Sequence, residues 1–233
     1  MALFVFPLHR FNPGTFSADV VAKVISGGTA LNDEETVIQT DGGGRWEGSL
    51  GEIDLDDPDI QRCWEAWTSY MRGGARPFLM PVPLLDIAPA PSSGMAFLDP
   101  SNIEADDDDF PTTVGFASPW IEAEIVGDAA LRATTITINV TRGSRLKNGM
   151  RFGVGGNRSH KIERITARDG QQATCIISHP LRAPVADGSP LNFDWPLVQC
   201  RGVIGQSLSP TFSLSWATVA LSFVEDFSLV GGE

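Results

Sequence analysis

The clearest periodicity in this sequence lies between Asp57 and Gly74, where apolar residues recur at helical spacing. The residues that share this stripe are Ile60, Cys63, Trp64, Trp67 and Met71. Asp57 suits an N-cap, Pro58 suits the first helical position, and Gly73-Gly74 predicts a left-handed end. The pattern therefore predicts one α-helix over about 57–73, whose aromatic face packs on a broad β surface.

Short apolar runs predict strands before and after this helix. These runs cover residues 3–8, 20–25, 37–38, 46–50 and 76–80. The glycines at 42–44 precede Trp46, and three glycines between strands predict a sharp turn or bulge where another backbone comes close. The pattern over residues 3–80 thus predicts several strands, the helix and then a strand that returns beside it.

From residue 81 to residue 119 the strand pattern lapses. Prolines punctuate the beginning of this stretch, and an acidic run from Glu104 to Asp109 follows. Such a composition predicts an excursion over the surface, a connection between subdomains or an arm that orders against a neighbouring subunit.

Regular alternation resumes after Trp120. The predicted strands cover residues 134–140, 150–154, 162–165, 173–177 and 191–193. Turn signals separate them at 155–157, 169–170 and 187–188, so they predict a small antiparallel barrel or sandwich. Residues 195–230 hold two or three longer strands, and a change of parity requires a bulge or turn near Ala217-Thr218.

The predicted fold class is mainly β. Residues 1–95 and 195–233 are expected to form an antiparallel β-sandwich with the single flanking helix. Residues 96–119 form an acidic and proline-rich connecting loop, and residues 120–194 form a small β-barrel inserted in the first domain.

Charge narrows the function classes. The 233 residues carry 29 acidic and 17 basic side chains, a formal net charge of -12. A free nucleic-acid binder shows the opposite balance, because phosphate contacts need Lys and Arg. No apolar run approaches a membrane span, and residues 1–10 lack a signal-peptide cleavage pattern. The three cysteines are too few for a disulfide scaffold or a zinc site and are expected to be reduced core residues.

Catalytic and ligand-binding motifs are absent from the sequence. No nucleophile elbow, H-E-x-x-H, C-x-x-C or phosphate loop occurs, so no enzyme, cofactor or metal is expected. His9, His160 and His179 lie apart and are predicted to be surface or turn residues. The acidic run lacks the spacing of a calcium loop. The six tryptophans suit a core, or alternatively a sugar-binding platform.

Two segments resemble a known family. The first is Gly43-Gly44-Arg45-Trp46-Glu47-Gly48-Ser49-Leu50, followed by the aromatic helix, Met71-Arg72-Gly73-Gly74 and Arg76-Pro77-Phe78-Leu79. The second starts at Leu146-Lys147-Asn148-Gly149-Met150-Arg151-Phe152-Gly153-Val154-Gly155 and continues through Asp169-Gly170 and residues 173–177 to His179-Pro180-Leu181-Arg182. Together they are similar to minor tail proteins of long-tailed bacteriophages and gene-transfer agents, in particular the distal tail or tail-tip type.

This resemblance implies a structural protein of the virion, assembled in the host cytoplasm. Its fold would be a tail-tube-like β-sandwich with one flanking helix and an appended barrel. The copies would close into a ring, commonly six-fold, between the tail tube and the hub, baseplate and tail fibre proteins. DNA would pass through the lumen, and part of the carboxylate excess would line it and repel the DNA.

Subunit contacts are expected near the turn that holds Gly43, Gly44, Arg45 and Trp46. Two other function classes remain open at this point. One is a carbohydrate-binding β-sandwich module with exposed tryptophans, and the other is a hydrolase whose site is too dispersed to read from the sequence.

Overall fold

The computed structural model describes residues 3–29, 31, 33–39, 43–83, 121–143, 145–212 and 217–228. The elements in chain order are helix α1 (Leu8–Phe11), strands β1 (Thr15–Val21), β2 (Val24–Thr29), β3 (Glu35–Gln39) and β4 (Arg45–Asp54), helix α2 (Pro58–Met71), and strands β5 (Phe78–Pro81), β6 (Glu122–Val126), β7 (Thr135–Arg142), β8 (Arg151–Val154), β9 (Arg158–Asp169), β10 (Gln172–Ile177), β11 (Pro190–Asn192), β12 (Leu197–Gly202), β13 (Thr211–Phe212) and β14 (Ala217–Glu225). The prediction of a mainly β fold is confirmed, and a closed β-barrel is present.

The chain divides into two compact units. Unit 1 contains Met1–Pro81 and Leu197–Glu233, and unit 2 contains Val82–Pro196. The predicted boundaries were residues 95, 120, 194 and 195. The acidic run from Glu104 to Asp109 and most of the proline-rich stretch lie outside the described residues.

Unit 1 is built on one antiparallel sheet. Its strand order is β1-β4-β14-β12-β5, and β13 pairs with β14. Strands β12 and β14, from the end of the chain, therefore lie between β4 and β5, from its beginning. Strands β2 and β3 form a separate two-stranded sheet.

Close packing fixes the middle of this sheet. Trp46 and Leu50 of β4 are fully buried, as its alternation predicts, and Ile53 is buried beyond the bulge at Glu52, which changes the parity. A Cβ at Gly48 would overlap the Ser17 carbonyl oxygen of β1 and the Phe223 ring of β14. Only glycine lets both neighbours approach β4 this closely.

Helix α2 follows the predicted chemistry. The Asp57 carboxylate accepts a 2.6 Å hydrogen bond from the Asp59 backbone N–H, and Pro58 occupies the first turn. The left-handed end begins one residue earlier than predicted, at Arg72 with φ of +46°. Within the stripe, Trp64 and Met71 are buried, and the Trp64 indole N–H donates to the Leu208 carbonyl at 3.0 Å.

The beginning of the chain differs from the predicted strand over residues 3–8. Val5 forms only an isolated parallel bridge with Leu79 of β5. The chain then turns into α1, a second helix that the sequence did not predict. Pro7 has no N–H to donate to a ladder, so pairing stops there and a single helical turn follows, ended by Asn12 at φ of +37°.

A bulge or turn is predicted near Ala217-Thr218, and β13 pairs antiparallel with β14 with Phe212 opposite Ala217, so the chain reverses direction before Ala217. A separate bulge, which the sequence did not predict, lies further along β14. The register between β14 and β4 shifts between Val219 and Leu221. The extra residue lies on β4, where Glu52 has a φ of +54°. The preceding residues 213–216, including Trp216, lie outside the described part of the chain.

Unit 2 is a closed antiparallel barrel. Its strand order is β10-β7-β6-β11-β8-β9, and its core is filled by alternating inward residues such as Ile125, Ile138, Phe152, Ile162 and Cys175. The hairpins predicted at residues 155–157 and 169–170 join β8 to β9 and β9 to β10. These predictions are confirmed.

The close approach at Gly48 gives a testable prediction. Gly48→Ala should destabilise unit 1 by about 1–3 kcal/mol, the usual cost of overpacking, in urea unfolding. Gly202→Ala in β12 is the matched control, because a Cβ there would meet no atom closer than 3.8 Å. Equal stability of the two variants would show that the close approach of β1 and β14 to β4 does not require glycine at position 48.

Candidate functional site

The hairpin of β2 and β3 exposes aliphatic side chains on both of its faces. The residue exposures are 57% for Val24, 59% for Ile25, 59% for Val37 and 55% for Ile38. Ile25 lies opposite Ile38 on one face of the hairpin, and the side chains of Val24 and Val37 lie on the other face. Every residue of β2 and residues 35–38 of β3 are exposed, so the described residues of this hairpin, defined here as residues 24–39, form no core of their own.

A two-stranded hairpin is only marginally stable in water, and its open edges invite pairing with another chain. Aliphatic residues on both faces add apolar surface that a monomer leaves in water. The hairpin therefore has the properties of an element that a partner covers.

A second apolar surface of unit 1 lies beside α2. It is a groove of about 390 Å³ lined by Phe4, Val5, Pro7, Cys63, Ala66, Trp67 and Tyr70. The Phe4 and Trp67 rings both meet the Tyr70 ring edge-on, with centroids 5.3 Å and 5.5 Å away. Phe4 remains 57% exposed. This aromatic groove is suited to receive aliphatic side chains.

The hairpin and the groove belong to opposite edges of the sheet. The hairpin begins where β1, one edge strand, ends at Val21. At the other edge, β5, the Leu79 backbone pairs with the groove segment: its N–H donates to the Phe4 carbonyl at 2.9 Å. Four strand spacings of about 4.8 Å separate β1 from β5, so the two surfaces lie apart, at different edges of the sheet, within one copy.

Charge also distinguishes these two surfaces. The turn of the hairpin carries Asp33, Glu34 and Glu35, all exposed. At the groove, the Arg76 guanidinium lies 5.6 Å from the centre of the Tyr70 ring. The described turn of the hairpin is therefore acidic, whereas a guanidinium lies beside the groove.

The predicted interface residues lie at the base of the hairpin. Gly44 has a φ of +100°, and a Cβ there would lie 2.5 Å from the Val21 carbonyl oxygen, so the predicted close backbone approach is confirmed. Trp46 is fully buried, and Arg45 Nε lies 2.7 Å from Glu47 Oε1. It stays a prediction that another subunit contacts Gly43, Gly44, Arg45 and Trp46. Among these four residues, Gly43 and Arg45 are partly exposed and could make such a contact.

The three histidines were predicted to be surface or turn residues, and two of them are buried: His160 lies on β9, and His179 lies in the bend after β10. His160 and His179 are buried in the barrel unit, and their rings stack with centroids 4.3 Å apart. Burial lowers the pKa of His160 to about 4, and burial together with the neighbouring His160 lowers the pKa of His179 still further. The Arg158 and Arg182 guanidiniums lower both pKa values as well.

The remaining candidate residues are the possible metal ligands and the three cysteines. Among the described residues, no group of three or more His, Cys, Asp or Glu is placed to hold a metal ion. Cys175 and Cys200 are buried, as predicted, and burial raises the pKa of the Cys175 thiol to about 11. Cys63 is only half-buried because it lines the groove.

No protein-family model and no curated protein matches this sequence. In the described part of the chain, no helix has both the length and the apolar composition to cross a membrane.

Sequence reasoning missed both the exposed hairpin and the buried histidine pair. The hairpin had a signal in the sequence, because Val24-Ile25 and Val37-Ile38 are adjacent apolar pairs. Adjacent apolar residues place aliphatic side chains on both faces of a strand, a pattern typical of strands that are covered on both faces. The histidine pair had no signal, because His160 and His179 come together only when the barrel closes.

The buried histidines predict acid sensitivity of unit 2. The ordinary histidine pKa is near 6.5, and the folded pKa values are lower, so the unfolded chain binds protons first as pH falls. Stability should be complete above about pH 6.5 and fall towards pH 4 by about 1.4 kcal/mol per pH unit for each histidine.

Urea unfolding followed by the Ile138 methyl NMR signal measures this effect within the barrel. His160→Gln should reduce the slope between pH 6.5 and 4, whereas His9→Gln, in α1, should leave it unchanged. A slope that is the same in His160→Gln and in the wild type would contradict the assignment.

Proposed function

We propose that this chain is a structural component of a bacteriophage tail tip, which assembles as a homo-oligomeric ring and works through its interfaces. The ring joins the tail tube to the hub, baseplate and tail fibre proteins, as the resemblance to distal tail proteins implies. The observation that carries the proposal is the apolar hairpin, with Val24, Ile25, Val37 and Ile38 each more than half exposed.

The hairpin and the groove favour a head-to-tail contact. Because they belong to opposite edges of one sheet, the hairpin of one copy fits the groove of the next copy and leaves that copy's hairpin available. Heterologous contacts of this kind generate a ring when the rotation closes. In the proposed assembly, ring closure covers the apolar surface of every hairpin.

The size of this contact is consistent with assembly that depends on closure. Covering four half-exposed aliphatic side chains contributes on the order of 4 kcal/mol. Association costs about 4–15 kcal/mol in lost freedom, so one hairpin contact offsets only the lower end of this cost and does not by itself hold a stable dimer. A closed ring gains one more contact than an open chain of the same number of copies, and this extra contact favours the closed form.

The net charge of -12 fits a ring that conducts DNA without binding it. Carboxylates facing a lumen repel phosphates, and DNA then slides with little friction. The acidic balance also argues against a role in which an isolated monomer binds nucleic acid.

A carbohydrate-binding module, the alternative from the sequence, needs a platform of exposed tryptophans. Trp46 and Trp64 are fully buried, Trp67 is half-buried, and Trp195 is 41% exposed. Trp120 and Trp216 lie outside the described residues. The described tryptophans therefore favour a role in the core over a role as a sugar-binding platform.

A mixing experiment tests the proposed assembly. Ile25→Asp places a charge on the hairpin and leaves the groove intact, whereas Ala66→Arg obstructs the groove and leaves the hairpin intact. We expect the wild-type chain to form a closed oligomer in native mass spectrometry and each variant alone to be monomeric. The variants should associate at least about a hundredfold more weakly, since a buried unpaired charge costs several kcal/mol.

The mixture of both variants should give no species larger than a 1:1 heterodimer, because only one intact hairpin and one intact groove can meet. Thr36→Asp, a polar hairpin position that receives the same charge, should still form the closed oligomer. A wild-type chain that stays monomeric at its highest soluble concentration would contradict the proposed function. Unchanged oligomers of Ile25→Asp would contradict the role of the hairpin.

A further inference from the structure

The barrel unit contains a cavity of about 300 Å³ that the proposed ring does not use. It lies between the β8–β9 turn and the connection from β10 to β11. This connection is fixed at two points. The Leu181 backbone bonds to Arg132 and Ala133, and Val185 exchanges two 2.8 Å hydrogen bonds with Ala129. The cavity walls are thus anchored, and the volume is at the lower end of the range for small-ligand sites.

Two arginines give this cavity its charge. Arg158 and Arg182 both line it, and none of the described lining residues is Asp or Glu. Both guanidiniums act on the buried His160 and His179, so their fields overlap within the site. A concentration of positive charge inside a chain of net charge -12 favours an anion at this place.

The neighbouring side chains define the remainder of the site. Arg158 lies two residues before His160 on β9, so both side chains are on the same face of the strand. The His160 ring is held between the Phe152 ring, 5.8 Å away, and the His179 ring, 4.3 Å away. Asn157 and Ser189 add polar groups to the lining, and Leu181 adds an apolar wall.

We infer that this cavity binds the anionic group of a sugar-sized ligand, a carboxylate or a phosphate, between Arg158 and Arg182. A guanidinium matches either oxyanion with two parallel N–H donors, which a neutral ligand cannot use. The apolar wall then contacts the C–H surface of the ligand, and Asn157 and Ser189 reach its hydroxyl groups. This binding site is independent of ring formation, because it uses residues of the barrel unit alone.

An NMR titration of the full chain tests the inference, and its probes separate the two oxyanions. Glucuronate carries the carboxylate, glucose 6-phosphate carries the phosphate, glucose is the neutral control, and inorganic phosphate lacks the sugar. At least one anionic sugar should give saturable amide shifts confined to residues 154–160 and 181–190. Glucose and inorganic phosphate should bind at least about tenfold more weakly, since each lacks one part of the contact.

Substitutions connect the shifts to the arginines. Arg158→Gln and Arg182→Gln should each weaken binding at least about tenfold, the loss of one charge-assisted pair. Arg164→Gln is the matched control, since Arg164 is exposed further along the same strand and does not line the cavity. Ala183→Phe, at an exposed lining position, should block the cavity without removing a charge.

Four outcomes would overturn the inference: no saturable shift with either anionic sugar, equal binding of glucose, equal binding of inorganic phosphate, or equal losses in Arg164→Gln and the two cavity variants. Retained binding in Ala183→Phe would also overturn it, because the ligand would then lie elsewhere. The spectra of the variants without ligand report whether the barrel is still folded.

Discussion

The pairing of β4 with β14 is the constraint on which unit 1 depends. The backbone N–H of Trp46 donates a 3.0 Å hydrogen bond to the carboxylate of Glu225, 179 positions away in the sequence. Phe223 closes over the bare backbone of Gly48 in the same strand pair. Without this pairing, the sheet of unit 1 would divide into two parts, with β1 and β4 on one side and β14, β12 and β5 on the other.

The inserted barrel reduces the entropic cost of pairing strands that are so distant in the sequence. Its first and last residues are joined, because the Val82 N–H donates to the Pro196 carbonyl at 2.9 Å. An insertion whose ends meet adds little to the entropy that its host loses on closing the sheet. The barrel also has a core of its own, so it can fold as an independent unit between the two halves of unit 1.

The same sheet supports the proposed association. Its middle strands are covered by packed side chains, whereas its edges lead to an apolar hairpin and an aromatic groove. An edge with apolar surface is a liability for a monomer and an advantage for a protein that closes a ring. The candidate ligand site lies in the barrel unit, so the inferred binding and the proposed assembly would use different parts of the chain.

Local patterns predicted the elements well, because their causes are local. The cap at Asp57, the glycines after Met71 and the two tight hairpin turns each act within a few residues. The helix α1 was missed because the apolar run over residues 3–8 has strand character and only Pro7 interrupts it. Contacts such as those between His160 and His179, or Gly48 and Phe223, depend on the closed fold, and no spacing in the sequence encodes them.

The groove contains a natural probe for the proposed contact, because Cys63 lines it while Cys175 and Cys200 are buried. A disulfide forms only between Cα atoms within about 7 Å, so Ile25→Cys on the hairpin tests the contact directly under mild oxidation. We expect covalent oligomers on a non-reducing gel that disappear when Cys63→Ser is added. Absence of cross-linking in Ile25→Cys, or a covalent dimer that persists with Cys63→Ser, would contradict the head-to-tail contact.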